Sequence, residues 1–288
     1  MDAIMVSGLT KSYGKARGID SLSLVAGEGE FFGFIGPNGA GKSTTIRTLL
    51  GFVRADSGRA EIFGKDITAC REEILREVGY LPSEAVFYPG MRVGDVIRFS
   101  AKLRGRDCGA EAGRLCDRLQ LDTKKRVREL SFGNRKKLGI VCALQHMPRL
   151  CILDEPTSGL DPLMQREFFA ILKEKNAAGA TIFLSSHILS EVQQYCSRAA
   201  VIREGRLVAC DRVEVLADTG AKRVHVRGNV DIAGLAGVRD VQEGEWEIRF
   251  LYSGQVKELL SVLCRQEVED LTVEEPDLEE IFMHYYKK

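Results

Sequence analysis

Gly36, Gly41, Lys42 and Ser43 stand in the spacing G-x-x-x-x-G-K-[ST] inside EFFGFIGPNGAGKSTTIRTLLG, residues 30–51. Their chemistry is that of a phosphate site. A polyphosphate carries dense negative charge, and bare backbone N–H groups can surround it only where no side chain blocks the approach. The glycines open that approach, and a helix following them adds the positive end of its dipole. Lys42 suits the β- and γ-phosphates, and the Ser43 hydroxyl suits Mg2+. At average composition, four such fixed positions match by accident in a chain of 288 residues on the order of 1% of the time. The segment reads as a P-loop.

The neighbouring residues supply the elements such a loop needs. Phe31–Ile35 is an apolar run suited to a buried strand, and Ile46, Leu49 and Leu50 form a helical stripe closed by Gly51. Downstream, RLCILDEPTSGLDP has the same logic: Leu150–Leu153 is an apolar strand that ends on Asp154 and Glu155. Open α/β sheets gather ligands at that end of their strands. Asp154 suits an outer contact to Mg2+, and Glu155 suits orienting or deprotonating an attacking water. An acid pair at a strand end is more often a cap or a solvated turn, and its position behind a P-loop reverses that weighting. Asp161–Pro162 then opens a helix expected to end near Gly179, and ATIFLSSH (180–187) is a further buried strand ending in His187. His187 is expected to sense the γ-phosphate and the attacking water. A guanine-reading N-K-x-D is absent from the sequence. In LSFGNRKKL (130–138), Ser131 ahead of Leu138, Val141 and Leu144 reads as a capped helix start.

Composition bounds the rest. A hydrophobic content of 44% with 28% charged residues describes a globular chain able to bury a core, and the formal net charge is zero, with no global pull toward nucleic acid. Locally, 102–137 is rich in bases, 222–288 is rich in acids, and 267–280 holds acids without a base. Each run taken alone reads as a solvated face. The eight cysteines form no C-x-x-C pair, and Cys142 and Cys151 sit in apolar runs as small core residues, which fits reduced thiols. The first residues, MDAIMVSGLTKSYGK, contain no apolar signal core, and no window approaches 18 uncharged apolar residues. Any membrane role is expected to come through a partner.

Taken together, these segments resemble the ATP-binding subunit of an ABC transporter, over nearly the whole chain. GPNGAGKST, the run Gly36, Pro37, Asn38, Gly39, Ala40, Gly41, Lys42, Ser43 and Thr44, is similar to the family's Walker A motif. CILDEP (151–156) is similar to Walker B, SGLD (158–161) with Asp161 to the D-loop, and His187 to the switch histidine. Tyr13 in KSYG sits where the family stacks an aromatic ring on adenine. LSFGN resembles the LSGGQ signature, with Phe132 in place of the first glycine and Asn134 in place of glutamine; Ser131 and Gly133 remain. VGYLPSEAVFYPGM (78–91) resembles the family's Q-loop segment, with Ser83 where glutamine is usual and Glu84 one position out of register.

The resemblance implies an α/β P-loop ATPase core of the ABC type over 1–221, with a helical subdomain at about 84–148 that docks on membrane subunits. It also implies a small C-terminal α+β accessory domain over 222–288. ATP and Mg2+ are the implied cofactors, with Ser43 and Asp154 as metal ligands and Ser83 as a further, shorter one. Glu155 and His187 are the implied catalytic pair. The implied partners are a transmembrane permease and a second ATPase subunit, whose signature motif would cover the γ-phosphate in trans; no nucleic acid is expected. The order YPGMRVGDVIRFSAKLRG, then EPDLEEIFMHYY, resembles ATPases of drug and antibiotic exporters, which act at the inner face of the cell membrane. In the C-terminal part KRVHVRG alternates as a strand, DVQEGEWEIRFL reads as a hairpin and VKELLSVLCRQ has helical spacing. Two other readings compete. A soluble ABC ATPase acting on ribosomes or nucleic acid would usually carry two cassettes or long coiled coils, neither seen here. A degenerate nucleotide-binding module would draw on Ser83, Phe132 and Asn134, but Lys42, Asp154, Glu155 and His187 are all present.

Overall fold

The computed structural model of the chain describes residues 1–14, 16–217 and 221–274. It separates into two compact units, Met1–Val213 and a second that begins at Glu214, somewhat ahead of the boundary expected after 221. The Val213 N–H donates to Ser197 O at 3.0 Å, which ties the end of the first unit to its sheet.

An antiparallel hairpin that sequence patterning did not identify opens the first unit: β1 (Asp2–Tyr13) and β2 (Ala16–Gly27). β3 (Phe31–Ile35), buried along its whole length, leads through the glycine loop into α1 (Lys42–Leu49). β4 (Ser57–Ile62) and the short β5 (Lys65–Asp66) return to the hairpin, and α2 (Arg71–Glu77) leads into β6 (Val78–Leu81). Three helices follow with no strand between them: α3 (Val93–Leu103), α4 (Gly109–Arg118) and α5 (Phe132–Leu144). The core resumes with β7 (Leu150–Asp154), α6 (Pro162–Ala177), β8 (Thr181–Ser186), α7 (Leu189–Tyr195), β9 (Arg198–Arg203) and β10 (Arg206–Arg212).

The central sheet has the order β10-β9-β3-β8-β7-β6, parallel throughout except for β10 against β9. Parallel strands are covered on both faces, so they read as continuous apolar runs, and β3, β7 and β8 are buried at every position. Phe183 packs between Phe32 and Phe34, with ring centroids 5.7 and 5.4 Å away. A second sheet, β2-β1-β4-β5, sends Ile4, Val6, Leu9, Leu22 and Ile62 into the same core as Phe32, Phe34 and Ile46. Register then decides what meets at the ligand-binding edge. Ile35 pairs with Ser186, Asp154 with Ser185, and Leu81 with Leu153. Gly36, His187, Glu155 and Pro82 therefore leave four adjacent strands on one side of the sheet.

α8 (Val213–Ala217) runs across the boundary, and the second unit continues with β11 (Lys222–Asn229), β12 (Val238–Glu243), β13 (Glu247–Tyr252), α9 (Val256–Leu263) and β14 (Glu267–Glu274). Its antiparallel sheet, ordered β12-β13-β11-β14, closes over Val224, Val226, Phe250, Tyr252, Leu259 and Leu263. The acid-rich run starting at 267 begins as a strand: Val268 and Leu271 pack on that core while the acids between them stay exposed. EPDLEEIFMHYY lies outside the described residues. Among the described residues all eight cysteines are free; Cys151 is buried as expected and Cys142 is half-buried. No described helix is long and apolar enough to cross a membrane.

Just beyond α5 sits His146, buried in the first unit. Its Nε2 donates to Val78 O at 3.3 Å and its Nδ1 has no partner. Burial, aided by Arg104, pushes its pKa down to about 4. The folded pKa lies below the unfolded one, so the stabilisation is complete above the ordinary imidazole range and is lost as pH falls toward 4. The unfolding free energy from denaturant titration is expected to drop by up to about 3 kcal/mol from this group between pH 7 and pH 4. H146Q, which keeps a donor for Val78 O, is expected to flatten that part of the slope.

Candidate active site

The glycine loop is shaped by contacts that leave no room for side chains. Gly41, at φ 107°, caps α1, and a Cβ there would lie 2.8 Å from Gly18 O on β2. Both the backbone conformation and the close approach therefore require glycine. Ala40 O accepts from the Gly205 N–H at 2.9 Å, and Thr45 Oγ1 donates to Gly41 O at 3.0 Å. Lys42 is 5% exposed. Its ammonium donates to Gly36 O (2.6 Å) and Pro37 O (3.2 Å) and stands 3.2 Å from Glu155 Oε1. Asn38, Gly39, Gly41, Lys42, Ser43, Thr44, Ser83 and Glu155 line one cavity of 300 Å3.

Glu155 follows β7 at φ 48°, a left-handed conformation uncommon for a residue with a side chain. Its N–H donates to Ser185 O at 3.0 Å. Oε2 is hydrogen-bonded to His187 Nδ1. Oε1 is buried without a hydrogen bond, and the recorded hydrogen bonds of the nearby Lys42 go to the loop carbonyls. The contact to Lys42 is thus electrostatic, and Oε1 keeps its capacity to accept a proton. Asp154 is buried beside it and accepts from Ser185 Oγ at 3.1 Å. Burial, then the Asp154 carboxylate, pushes Tyr80 up to about 12, so its phenol stays neutral.

The oxygen set near the loop fits Mg2+. Ser43 and Ser83 line the cavity, with the carboxylate of Asp154 nearby in sheet order. Among the described residues no group of three or more His, Cys, Asp or Glu could hold a metal by itself. One carboxylate and hydroxyls completed by substrate phosphates is the way proteins hold Mg2+, whereas all-protein cages suit Ca2+.

The remaining predicted residues lie elsewhere in the unit. Ser131 caps α5, its Oγ accepting from Asn134 N at 3.3 Å, which leaves its own O–H free to donate. The Phe132 ring lies over Gly159, where a Cβ would be 2.2 Å from it, and a Cβ on Gly133 would stand 2.6 Å from Gly159 O. The start of α5 and the 158–161 loop are thus packed together. Asp161 caps α6 through Met164 N (3.0 Å). Tyr13 ends β1, 46% exposed, with the Lys11 ammonium 5.6 Å from its ring centroid. None of Tyr13, Ser131, Phe132, Gly133, Asn134 or Asp161 lines the cavity of the glycine loop.

Three polar groups that sequence reading passed over support this edge. Ser185 holds Asp154, and Ser186 Oγ donates to the buried Glu191 (2.8 Å). Lys136, 2% exposed, donates to Pro82 O (3.2 Å), Ser83 O (2.9 Å) and Glu155 O (2.9 Å). Burial pushes it down to about 8, against the pull of the Asp154 and Glu155 carboxylates. The signal for Lys136 was its spacing, three, four and seven residues ahead of Gly139, Ile140 and Ala143 on the buried face of α5.

The Gly41 geometry yields a direct test. G41A is expected to lower affinity for a fluorescent ATP analogue by roughly ten-fold or more, because the Cβ displaces the loop from its φ > 0 conformation. Circular dichroism of the variant should remain that of a folded protein.

Comparison with known proteins identifies the family. Residues 19–158 match the family model described as ABC transporter. The bacitracin transport ATP-binding protein BcrA of Bacillus licheniformis is 41% identical over 212 residues, covering 71% of this chain and 68% of that protein. The linearmycin resistance ATP-binding protein LnrL of Bacillus subtilis is 30% identical over 302 residues, covering 98% and 97%. Among solved structures, an ATP-binding subunit of an ABC transporter superposes with a TM-score of 0.70 at 31% identity, over 74% of this chain and 91% of that one. With a P-loop, an acid pair and a histidine converging on one edge of its sheet, the chain belongs to the ABC transporter ATP-binding proteins, a family of ATP-hydrolysing domains.

Proposed function

We propose that the chain is the ATPase subunit of an exporter: it hydrolyses ATP at the glycine loop and energises a separate transmembrane permease. The observation that carries this reading is Glu155, whose carboxylate stands between Lys42 and His187 at the wall of the loop cavity. The loop N–H groups and Lys42 bind the β- and γ-phosphates. Glu155 Oε1 takes the proton of the attacking water, while His187 holds Oε2 and thereby the carboxylate's orientation. Ser43 and Asp154 would hold Mg2+, with Ser83 as a further oxygen ligand. When bound, the ion neutralises charge on the phosphate oxygens.

Completion of the site in trans by a second ATPase subunit is supported by the position of the signature residues. Ser131 caps a 13-residue helix and Gly133 lies in its first turn, yet neither lines the chain's own loop cavity. The N-terminus of α5, with a free Ser131 O–H, is suited to phosphate oxygens arriving from another copy. Tyr13, exposed on a hairpin that touches Gly41, is suited to stacking on adenine.

The permease would dock at the groove between α3 and α4. That groove has a volume of 1050 Å3, and Arg92, Arg98, Lys102, Arg106 and Lys124 line it against Asp95, Asp107 and Asp117. The excess of bases suits an acidic cytoplasmic segment of the permease. The chain would then work in the cytoplasm, peripheral to the inner face of the membrane. The names of BcrA and LnrL support an antibiotic or similar hydrophobic or peptidic substrate.

Two variants test the reading on purified protein. E155Q is expected to bind ATP within about two-fold of the parent, to lose roughly 100-fold or more in kcat, and to accumulate as an ATP-bound dimer on size exclusion. Near-parental turnover in E155Q would remove Glu155 from the role of base. S131R is expected to abolish turnover while ATP binding to the monomer persists; loss of nucleotide binding would mean that LSFGN serves its own chain only.

A further inference from the structure

Lys136 is a buried cation whose protons all go to main-chain carbonyls. The described structure gives it no side-chain acceptor: its partners are Pro82 O, Ser83 O and Glu155 O. These carbonyls come from two loops that leave adjacent parallel strands, β6 and β7. One of them belongs to Glu155 itself, at φ 48°. The other two belong to the segment that enters the helical part of the unit, and Ser83 there forms a wall shared by the loop cavity and by a second cavity of 230 Å3. Lys136 and Phe132 line that second cavity from α5. Around the lysine the helix is pressed on the same segment, since a Cβ on Gly139 would meet Leu81 at 2.9 Å and Ala85 at 3.2 Å.

An ammonium taken out of water is costly unless it is fully hydrogen-bonded, and an apolar side chain at this helical position would have filled the space at lower cost. The geometry explains what the charge does. Three donors on one nitrogen bind three acceptors that otherwise have no reason to keep a fixed separation. A left-handed glutamate is sustained only where its surroundings over-determine it, and here its N–H is held by Ser185 O and its C=O by Lys136.

We propose that Lys136 is a positioning residue for hydrolysis: it ties the backbone of Glu155 and the Pro82–Ser83 segment to the helix that starts at the signature motif. The inference rests on Glu155 as the base. Any shift of α5 or of the 82–83 segment is passed to the Glu155 main chain, so the carboxylate meets the water correctly only when both are seated. The clamp acts on the chemical step and leaves nucleotide affinity to the glycine loop.

The test is K136M, near in volume but without donors, measured as the full chain. The expected result is a roughly 10- to 100-fold fall in kcat, the order seen when a reacting group is misplaced by about an ångström, with KM and affinity for a fluorescent ATP analogue within about two-fold. In the E155Q background, K136M should still form the ATP-driven dimer. A parental kcat in K136M overturns the proposal. So does a proportional loss of affinity and kcat, or loss of the dimer in the double variant, since each marks a merely structural role. If K136M does not fold, K136Q is read instead, with a kcat between the two expected. Parental kcat in K136Q, whose two N–H donors cannot serve three carbonyls, overturns the clamp. E155Q alone separates the two ideas: activity there removes the base, whereas an inactive E155Q beside a fully active K136M removes only the clamp.

Discussion

A half-buried carboxylate, one oxygen of it fully enclosed, next to a buried ammonium sets the terms for everything around it. Glu155 and Lys42 stand 3.2 Å apart, with side chains 15% and 5% exposed. Either charge alone at that depth would be expensive. The lysine donates to the carbonyls of its own loop, and the glutamate meets the histidine beyond β8 through one oxygen only. Neither satisfies the other completely, which is what a site that must admit a polyphosphate and a water requires. The left-handed backbone of Glu155, costing roughly 1–3 kcal/mol, is offset by the sheet on one side and the α5 helix on the other.

The rest of the fold can be read as support for that contact. Parallel strands with both faces buried hold their ends in register, and the register brings Gly36, Pro82, Glu155 and His187 to one edge. Aromatic packing of Phe32, Phe34 and Phe183 fixes the spacing of β3 and β8. The hairpin sheet presses Gly18 onto Gly41 and so sets the back of the phosphate loop.

What the sequence made legible follows the same physics. Wherever one short segment carries both the element and the chemistry, as in residues 31–50 or 150–155, local pattern was enough. Asp161 and Ser131 were readable as caps for the same reason, and β11, β12, β13 and α9 through their periodicity. The β1–β2 hairpin was not read, because Ser7, Gly8 and Thr10 interrupt its alternation and the pairing shifts register along its length. Lys136 looked like part of a solvated basic run, since the acceptors that justify its burial lie far away in sequence. Phe132 looked like a departure from a motif; its partner, Gly159, could be found only in three dimensions.

That last contact changes how the two positions should be regarded. The ring at 132 occupies the space that any side chain at 159 would need. The backbone at 159, at φ 79°, would resist a side chain even if that space were empty. Glycine there is fixed by its own conformation, and the ring at 132 is the member of the pair that is free to vary. The unusual signature of this protein is less a lapse from a pattern than a ring laid on a bare stretch of backbone in the loop after the acid pair.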